Sequence, residues 1–312
     1  MGNSRRVTVI FNPNAGVGRF GINEDIIRHR LESLSRTEGV PIEIEIKTTR
    51  SKGDCRDFSK DAVINGSDVV AVAGGDGSIM EAVNSLKFSK TSLGIIPVGS
   101  GNDTITSITG HNNISKCFRD IVLSDPQNLD TGSMNSLLFL NVVGIGLDAE
   151  VNHMVAKRRE MVRRIGPAMT YSYGALKTLL HFKPYHISVS IDGSREVEYR
   201  ISLCTVGNGT TCGGGFLLTP MALMNDGKLD LSISEYIGRI PSILNIRTAF
   251  RGEHVKRKEN TYKRFEKIIL KGLERELPFH IDGEPGFAEK MELEIQPDSI
   301  LSVHHHRQNH LT

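Results

Sequence analysis

Tryptophan is absent from this 312-residue chain, and aromatic residues make up only 6% of it. Stacking of successive bases needs exposed rings, so a platform for single-stranded nucleic acid is excluded. Charges of opposite sign nearly cancel, 38 basic against 36 acidic for a net of +2, and that balance lacks the basic footprint of a nucleic-acid binder. An anionic partner must therefore meet a local patch. Cysteine is scarce: Cys55, Cys117, Cys204 and Cys212 stand without paired spacing, which argues against a disulfide framework or a zinc site and for the cytoplasm. The opening MGNSRRVTVIFN has no apolar stretch of the kind that a secretory signal carries. Gly2 invites comparison with a myristoylation site, but Arg6 stands where that motif wants Ser or Thr. No apolar run reaches membrane-spanning length, so any membrane contact is expected to be peripheral.

What the chain does have is alternation. At this length two domains are expected. Val7 to Phe11 reads as an apolar strand, and Ile22, Ile26, Ile27, Leu31 and Leu34 then fall on one helical face. Ile42, Ile44 and Ile46 alternate with charged residues, as in a strand near a sheet edge. Cys55, Phe58 and Ala62 fit a short helix. Asp68–Ala73 and Leu93–Val98 read as buried strands around a helix over Ser78–Leu86. Strand–helix repetition predicts a parallel sheet with flanking helices, whose ligands sit at the carboxyl ends of the strands. After about residue 131 strand-like segments dominate, with Asp192-Gly193 marking a hairpin, so the second half is expected to be mainly a β-sandwich. Helical patterns interrupt it from Val151 to His181 and from Pro241 to Phe250. His304, His305 and His306 read as a solvated terminus.

Two glycine turns carry the chemistry. Gly74-Gly75-Asp76-Gly77 closes one buried strand, and Gly99-Ser100-Gly101-Asn102-Asp103 closes the next. Glycine lets backbone amides approach a phosphate, and an aspartate in the same turn can recruit magnesium. The plain alternative is a tight turn with an N-capping aspartate. Asn12-Pro13-Asn14-Ala15-Gly16 after the first strand could hold phosphate or ribose, or be only a turn. Thr49 is a nucleotide contact by position alone. Asn225-Asp226-Gly227-Lys228-Leu229-Asp230-Leu231 could hold a hard cation through a carboxylate and carbonyls, although an Asp-Gly hairpin turn explains its spacing as well. Asp282-Gly283-Glu284-Pro285 is either a second such turn or a presented general base. Two basic clusters, Lys157/Arg158/Arg159/Arg163/Arg164 and Lys256/Arg257/Lys258/Lys263/Arg264, stand out; the first, on a helix, could dock on an anionic bilayer or simply bury its apolar face in the protein itself.

In series, FNPNAG, AVAGGDGSIMEAVN, IIPVGSGND, FLNVVGIGLDAEV, GGGFLLTPMALMNDGKLDL and IDGEP extend over roughly residues 7 to 300. The series resembles the bacterial diacylglycerol kinase-like lipid kinases, the soluble kind related to eukaryotic diacylglycerol and sphingosine kinases. The resemblance implies an ATP-binding α/β domain at 1–131 and 299–312 and a β-sandwich lipid domain at 132–298, with the active site in the cleft between them. By motif match, Asn12, Pro13, Asn14, Ala15, Gly16, Thr49, Gly74, Gly75, Asp76, Gly77, Ser78, Ile79 and Ser100 would contact ATP. Asp76 would serve the phosphates and the catalytic Mg2+, Asp103 and Asp148 would join a carboxylate–water network, and Glu284 would be the general base. Asp226, with the carbonyls of Leu229 and Leu231, would hold a structural magnesium. Ser78 replaces a common threonine and keeps the hydroxyl, Met80 replaces a common asparagine, and no aromatic follows Asp103.

The expectation is an ATP- and Mg2+-dependent lipid kinase acting on a lipid hydroxyl such as that of diacylglycerol. It would be cytoplasmic, peripherally attached to anionic membrane and independent of nucleic acid, with a homodimer left open. An NAD kinase-like enzyme and a non-catalytic nucleotide- or lipid-binding regulator are the competing readings. Retention of Asp76, Asp226 and Glu284 speaks against the last.

Overall fold

Uninterrupted β-branched runs between glycine turns form the first sheet, because strands covered by helices on both faces must be apolar throughout. The computed structural model describes residues 4–18, 21–156, 169–170, 173–174, 177–178, 182–238, 241 and 248–306. It divides into one unit that reaches Asp130 and resumes at Asp298, and a second spanning Thr131–Pro297.

In the first unit β1 (Arg5–Phe11), β2 (Ile42–Thr48), β3 (Val69–Gly74) and β4 (Ser92–Pro97) are parallel, in the order β4-β3-β1-β2. The residues of β3 and β4 are all buried. β2 alternates between exposed and half-buried and lies at the edge, as its Ile-Glu-Ile-Glu pattern requires. Helix α1 (Glu24–Glu38) starts where the Asn23 side chain accepts the Ile26 N–H, and it stops at Gly39 in the left-handed conformation. Its Ile27 and Leu31 are fully buried, worth about 1.5–3 kcal/mol each. Helices α2 (Asp54–Ile64) and α3 (Asp76–Leu86) follow, then α4 (Asp103–Thr109) and α5 (Ile114–Leu123). The sequence pattern had not singled out the last two, because α4 is short and opens on a glycine turn.

The second unit is mainly antiparallel. β5 (Gln127–Met134) leads into it and pairs with β6 (Leu137–Phe139); β7 (Val142–Gly146) precedes helix α6 (Leu147–Ala156), and β8 (Tyr185–Ile191) joins the 11-residue β9 (Val197–Gly207). A short ladder, β10 (Thr211–Cys212) with β11 (Phe216–Leu217), leads to β12 (Leu229–Glu235), β13 (Asn260–Phe265) and β14 (Lys267–Gly272). β15 (Leu277–Ile281) and β16 (Glu284–Ala288) form a hairpin, and β17 (Lys290–Ser302) closes the chain order. Within this unit residues 290–294 of β17 pair with β14. β9 changes partner along its length: residues 197–201 pair with β8, and residues 203–207 with β7. Along its other edge, residues 201–207 pair with β12. Leu229, Leu231 and Ile233 of β12 join Val143, Ile145, Val206, Leu270 and Leu293 in the core.

Of the His304–His306 run expected at a solvated terminus, His305 is exposed but His304 is not. In the first unit, Leu301 and Ser302 of β17 lie parallel to β4, and the fully buried His304 Nε2 accepts the Ile95 N–H at 2.7 Å. His304 Nδ1 therefore donates to Asp120, 2.9 Å away. The ring substitutes for a strand neighbour, which charge patterning alone cannot signal. The helical patterns expected over Val151–His181 and Pro241–Phe250 fall largely outside the described residues, as does the first basic cluster.

Candidate active site

At the carboxyl edge of the parallel sheet, the strand register brings three turns together. Phe11 pairs with Ala73, and Gly74 with Pro97. The Asn12 N–H donates to Ala73 and the Thr49 N–H to Phe11, both at 2.9 Å. Asn12 Nδ2 donates to Ser78 Oγ (2.9 Å) while its Oδ1 accepts the Asn14 N–H (3.0 Å), which ties the first turn to helix α3. Gly16 is left-handed, φ 61°, and a Cβ there would lie 2.2 Å from the Val98 carbonyl. A Cβ on Gly99 would lie 2.5 Å from Gly75 Cα. Glycine is needed at both places so that the turns can touch.

Helix α3 opens at Gly75 without a side-chain cap, and around Gly77 a Cβ would meet nothing within 4 Å. The Ser78 and Ile79 N–H groups turn back to the Gly75 carbonyl, which leaves the start of the helix, at Asp76 and Gly77, without a side-chain cap where an anion could be accepted. Asp76 Oδ1 accepts the Thr104 N–H at 2.9 Å and Oδ2 the Asp103 N–H at 3.4 Å, so this carboxylate caps α4 from α3. A Cβ on Gly101 would stand 3.2 Å from both Asp76 Oδ2 and Asp103 Oδ2. Asp76 and Asp103 thus set two carboxylates, hard-oxygen donors of the kind magnesium takes, beside a residue that has no side chain. Ser100 is exposed at the lip of this turn, as are Pro13 and Asn14, whereas Ile79 and Thr49 are buried supports. Ala15 opens a 3-10 turn, Ala15–Gly18. Beneath the site, the Glu81 carboxylate accepts the Gly53 N–H at the start of α2. Cys55 donates to the Ser78 carbonyl, and burial pushes its thiol up to about 12, so it is inert.

In the second unit the Asp282-Gly283 turn joins β15 to β16, and both residues have positive φ, 44° and 90°. Asp282 is half-buried within its own unit: its carboxylate accepts the N–H groups of Leu140 (2.7 Å), Asn141 (3.0 Å) and Val142 (2.7 Å). Burial raises its pKa to about 6 against the pull of those bonds and of His280. The turn leaves Glu284 exposed at the first position of β16. Both readings of this segment are thus compatible: a tight Asp-Gly turn also presents a carboxylate. His280, which no motif singled out, is fully buried and pairs with Asp148 at 2.7 Å. The only trace of it in the sequence is Gly144, the residue opposite it on β7.

The Asn225–Leu231 segment is not a hairpin turn; it leads directly into β12. Asp226 Oδ1 accepts the Lys228 N–H at 3.1 Å, and Oδ2 pairs with the Arg264 guanidinium. Leu229 and Leu231 are buried strand residues. With Arg264 on its carboxylate, Asp226 already has its countercharge, and the set does not fit a structural cation as arranged. Asp148, Cys212 and His280 bring ligand atoms within 4.8 Å of one another. His280 Nδ1 accepts the Gly283 N–H (3.3 Å), so Nε2 carries the proton that faces Asp148. A metal would need that same nitrogen bare, and this group does not fit one either.

A parallel α/β unit with glycine-turn amides at the strand ends, followed by an antiparallel β unit, defines a class of two-part nucleotide-using enzymes. Residues 6–134 match the family described as the diacylglycerol kinase catalytic domain, and residues 141–304 match the YegS C-terminal NAD kinase beta sandwich-like domain. A diacylglycerol kinase of Bacillus subtilis (strain 168) is 27% identical over 286 residues, 90% of each chain. One of Mycobacterium tuberculosis (strain ATCC 25618 / H37Rv) is 28% identical over 256 residues, 80% of each. A solved diacylglycerol kinase structure from Bacillus anthracis str. Sterne shares the fold, with a TM-score of 0.70, 20% identity and coverage of 97% of this chain and 98% of that one. The chain belongs to the bacterial diacylglycerol kinase-like lipid kinase family. Its activity class is that of a kinase, and that membership implies ATP use. Among the described residues no helix is long and apolar enough to cross a membrane.

Proposed function

We propose that the protein is a magnesium-dependent kinase that transfers the γ-phosphoryl group of ATP to the hydroxyl of a lipid such as diacylglycerol. The observation that carries this reading is the Asp76 carboxylate, which sits at the open N-terminus of α3 and beside Asp103 across Gly101. The residues from Asn12 to Gly16, Gly74 to Ile79, Thr49 and Ser100 bind and orient the triphosphate. The amides at the very start of α3, at Asp76 and Gly77, would face the charge that develops on the transferred group, while those of Asn12, Asn14, Thr49, Ser78 and Ile79 hold the turns themselves; preorganised donors are the largest single contribution in phosphoryl transfer. Magnesium, held by Asp76 and Asp103, would neutralise phosphate charge. Glu284 accepts the proton of the lipid hydroxyl as that oxygen attacks, and Asp282 holds the turn from which it does so. Lys256, Arg257, Lys258, Lys263 and Arg264 are all exposed on the second unit and draw the enzyme to anionic lipid.

The test is radiolabelled ATP with a panel containing diacylglycerol, phosphatidylglycerol, monoacylglycerol, a sphingoid base and NAD, read by product mobility. Label in a lipid, lost to background in Asp76→Ala and falling by roughly 10²–10⁴ in Glu284→Gln, is expected. Label in NAD alone, or none in any acceptor despite magnesium-dependent ATP binding, would overturn the reading.

A further inference from the structure

The hairpin that carries Glu284 is gripped from a helix. α6 supplies Asp148 near its start and His153 near its end. His153 Nε2 donates to the carbonyls of Phe279 (3.3 Å) and Gly286 (3.2 Å), one on each strand of the hairpin, and its ring lies 4.7 Å from that of Phe287. Asp148 reaches His280 on β15, and His280 in turn accepts the N–H of Gly283, the residue before Glu284. The whole relay fits inside a slot that the backbone leaves for it. A Cβ on Gly144 would lie 2.2 Å from Asp148 Oδ2 and 2.3 Å from His280 Nε2. A side chain at that strand position would break the pair, so glycine opposite histidine is part of the device.

We propose that His280, oriented by Asp148, is a positioning residue: it fixes the turn from which Glu284 acts and so sets the efficiency of proton abstraction. The inference rests on the reading of Glu284 as the base. The groups facing the imidazole are Asp148 from α6, Cys212 from β10 (Sγ 4.0 Å from Nε2) and Asp282 from its own hairpin. Burial pulls the proton affinity of His280 down. The charge and hydrogen bond of Asp148, with Asp282 beyond, more than reverse this, and its pKa lies above the usual histidine value. A second proton would enter at Nδ1 and set one N–H against that of Gly283. The grip on the turn is therefore intact when the ring is neutral and is weakened when it is charged.

Two substitutions separate the two bonds. His280→Asn keeps an acceptor near Gly283 but cannot reach Asp148; His280→Gln keeps the donor toward Asp148 but leaves Gly283 without its acceptor. Each is expected to lower kcat roughly ten- to hundredfold with KM for ATP unchanged, and to alter the acid limb of the pH–rate profile. Asp148→Asn, which retains an oxygen for Nε2–H, is the variant that keeps the question answerable should the others fold poorly. Its acid limb should move to lower pH, since the charge that favours the imidazolium is gone. Wild-type kcat and an unmoved acid limb in all three would overturn the proposal. Glu284→Gln is assayed beside them. If it is inactive while the His280 variants are normal, only the positioning role falls; if it turns over normally, the assignment of the base falls and takes this role with it.

Discussion

A single half-buried carboxyl illustrates how much one residue does here. Asp282 forms the turn, ties it to three backbone amides and stands next to the exposed Glu284. Its pKa is about 6 in the folded chain against 3.8 for a free carboxyl, so the folded state holds the proton more firmly. Between these values the native state binds more protons than the unfolded chain, and stability must fall as pH rises through that window. The full contribution is present below about pH 4 and lost above about pH 6. Asp282→Asn should erase this downward step in urea unfolding measured from pH 4 to 7, and a step of the same size in the variant would refute the assignment. The sequence announces Asp282 only as a turn residue. Its burial depends on the backbone of residues 140–142, far away in the chain, and nothing local encodes that partnership.

Elements were legible where one rule governed the whole segment. β3 and β4, apolar at nearly every position, could hardly be anything but central strands, and α1 shows its face, its cap and its stop. Gly74–Gly77 was legible because the turn needs glycine for reasons visible in the sequence. α4 was not, since its N-terminus is capped by Asp76 from another helix. The opening of α3 yields a prediction with two readouts of opposite sign. Gly77 has ordinary backbone angles and free space where a Cβ would go. Gly77→Ala should therefore raise stability by about 0.5–1 kcal/mol, because alanine is the better helix residue. With the nucleotide bound as proposed, the same methyl would stand in the way of its phosphate, and losing one charge-assisted amide contact of about 1.5–3 kcal/mol should raise KM for ATP roughly ten- to hundredfold. A higher midpoint of thermal unfolding with unchanged KM would show that the nucleotide does not use this helix end.

At the scale of the molecule, the composition foretold an even charge balance with local patches, and the patch at Lys256–Arg264 is exposed as that reading requires. Arg257 is paired with Glu259 and Arg264 with Asp226, so Lys258 and Lys263 are the residues to reverse. At about 1 kcal/mol per basic residue near an anionic surface, Lys258→Glu with Lys263→Glu should weaken sedimentation with phosphatidylserine vesicles at least tenfold and flatten its salt dependence. Equal binding by wild type and variant would remove the patch from the membrane-facing surface. His304 is the residue there that its sequence context does not explain, because it acts through a backbone bond at Ile95 and an ion pair with Asp120, neither of which has a signature of its own. A stop codon after Ser302 removes the buried Val303 and His304 and leaves the Ile95 N–H without an acceptor. It should cost about 3–5 kcal/mol, seen as a marked fall in the urea midpoint. This late closure also dictates a timetable on the ribosome. The strand that borders β4 is made only after the whole intervening β unit, so at cellular elongation rates the α/β unit must wait roughly ten to thirty seconds, its sheet border bare, for that strand to emerge. Newly made chains are thus most vulnerable to chaperones and proteases along an edge that the finished enzyme never shows.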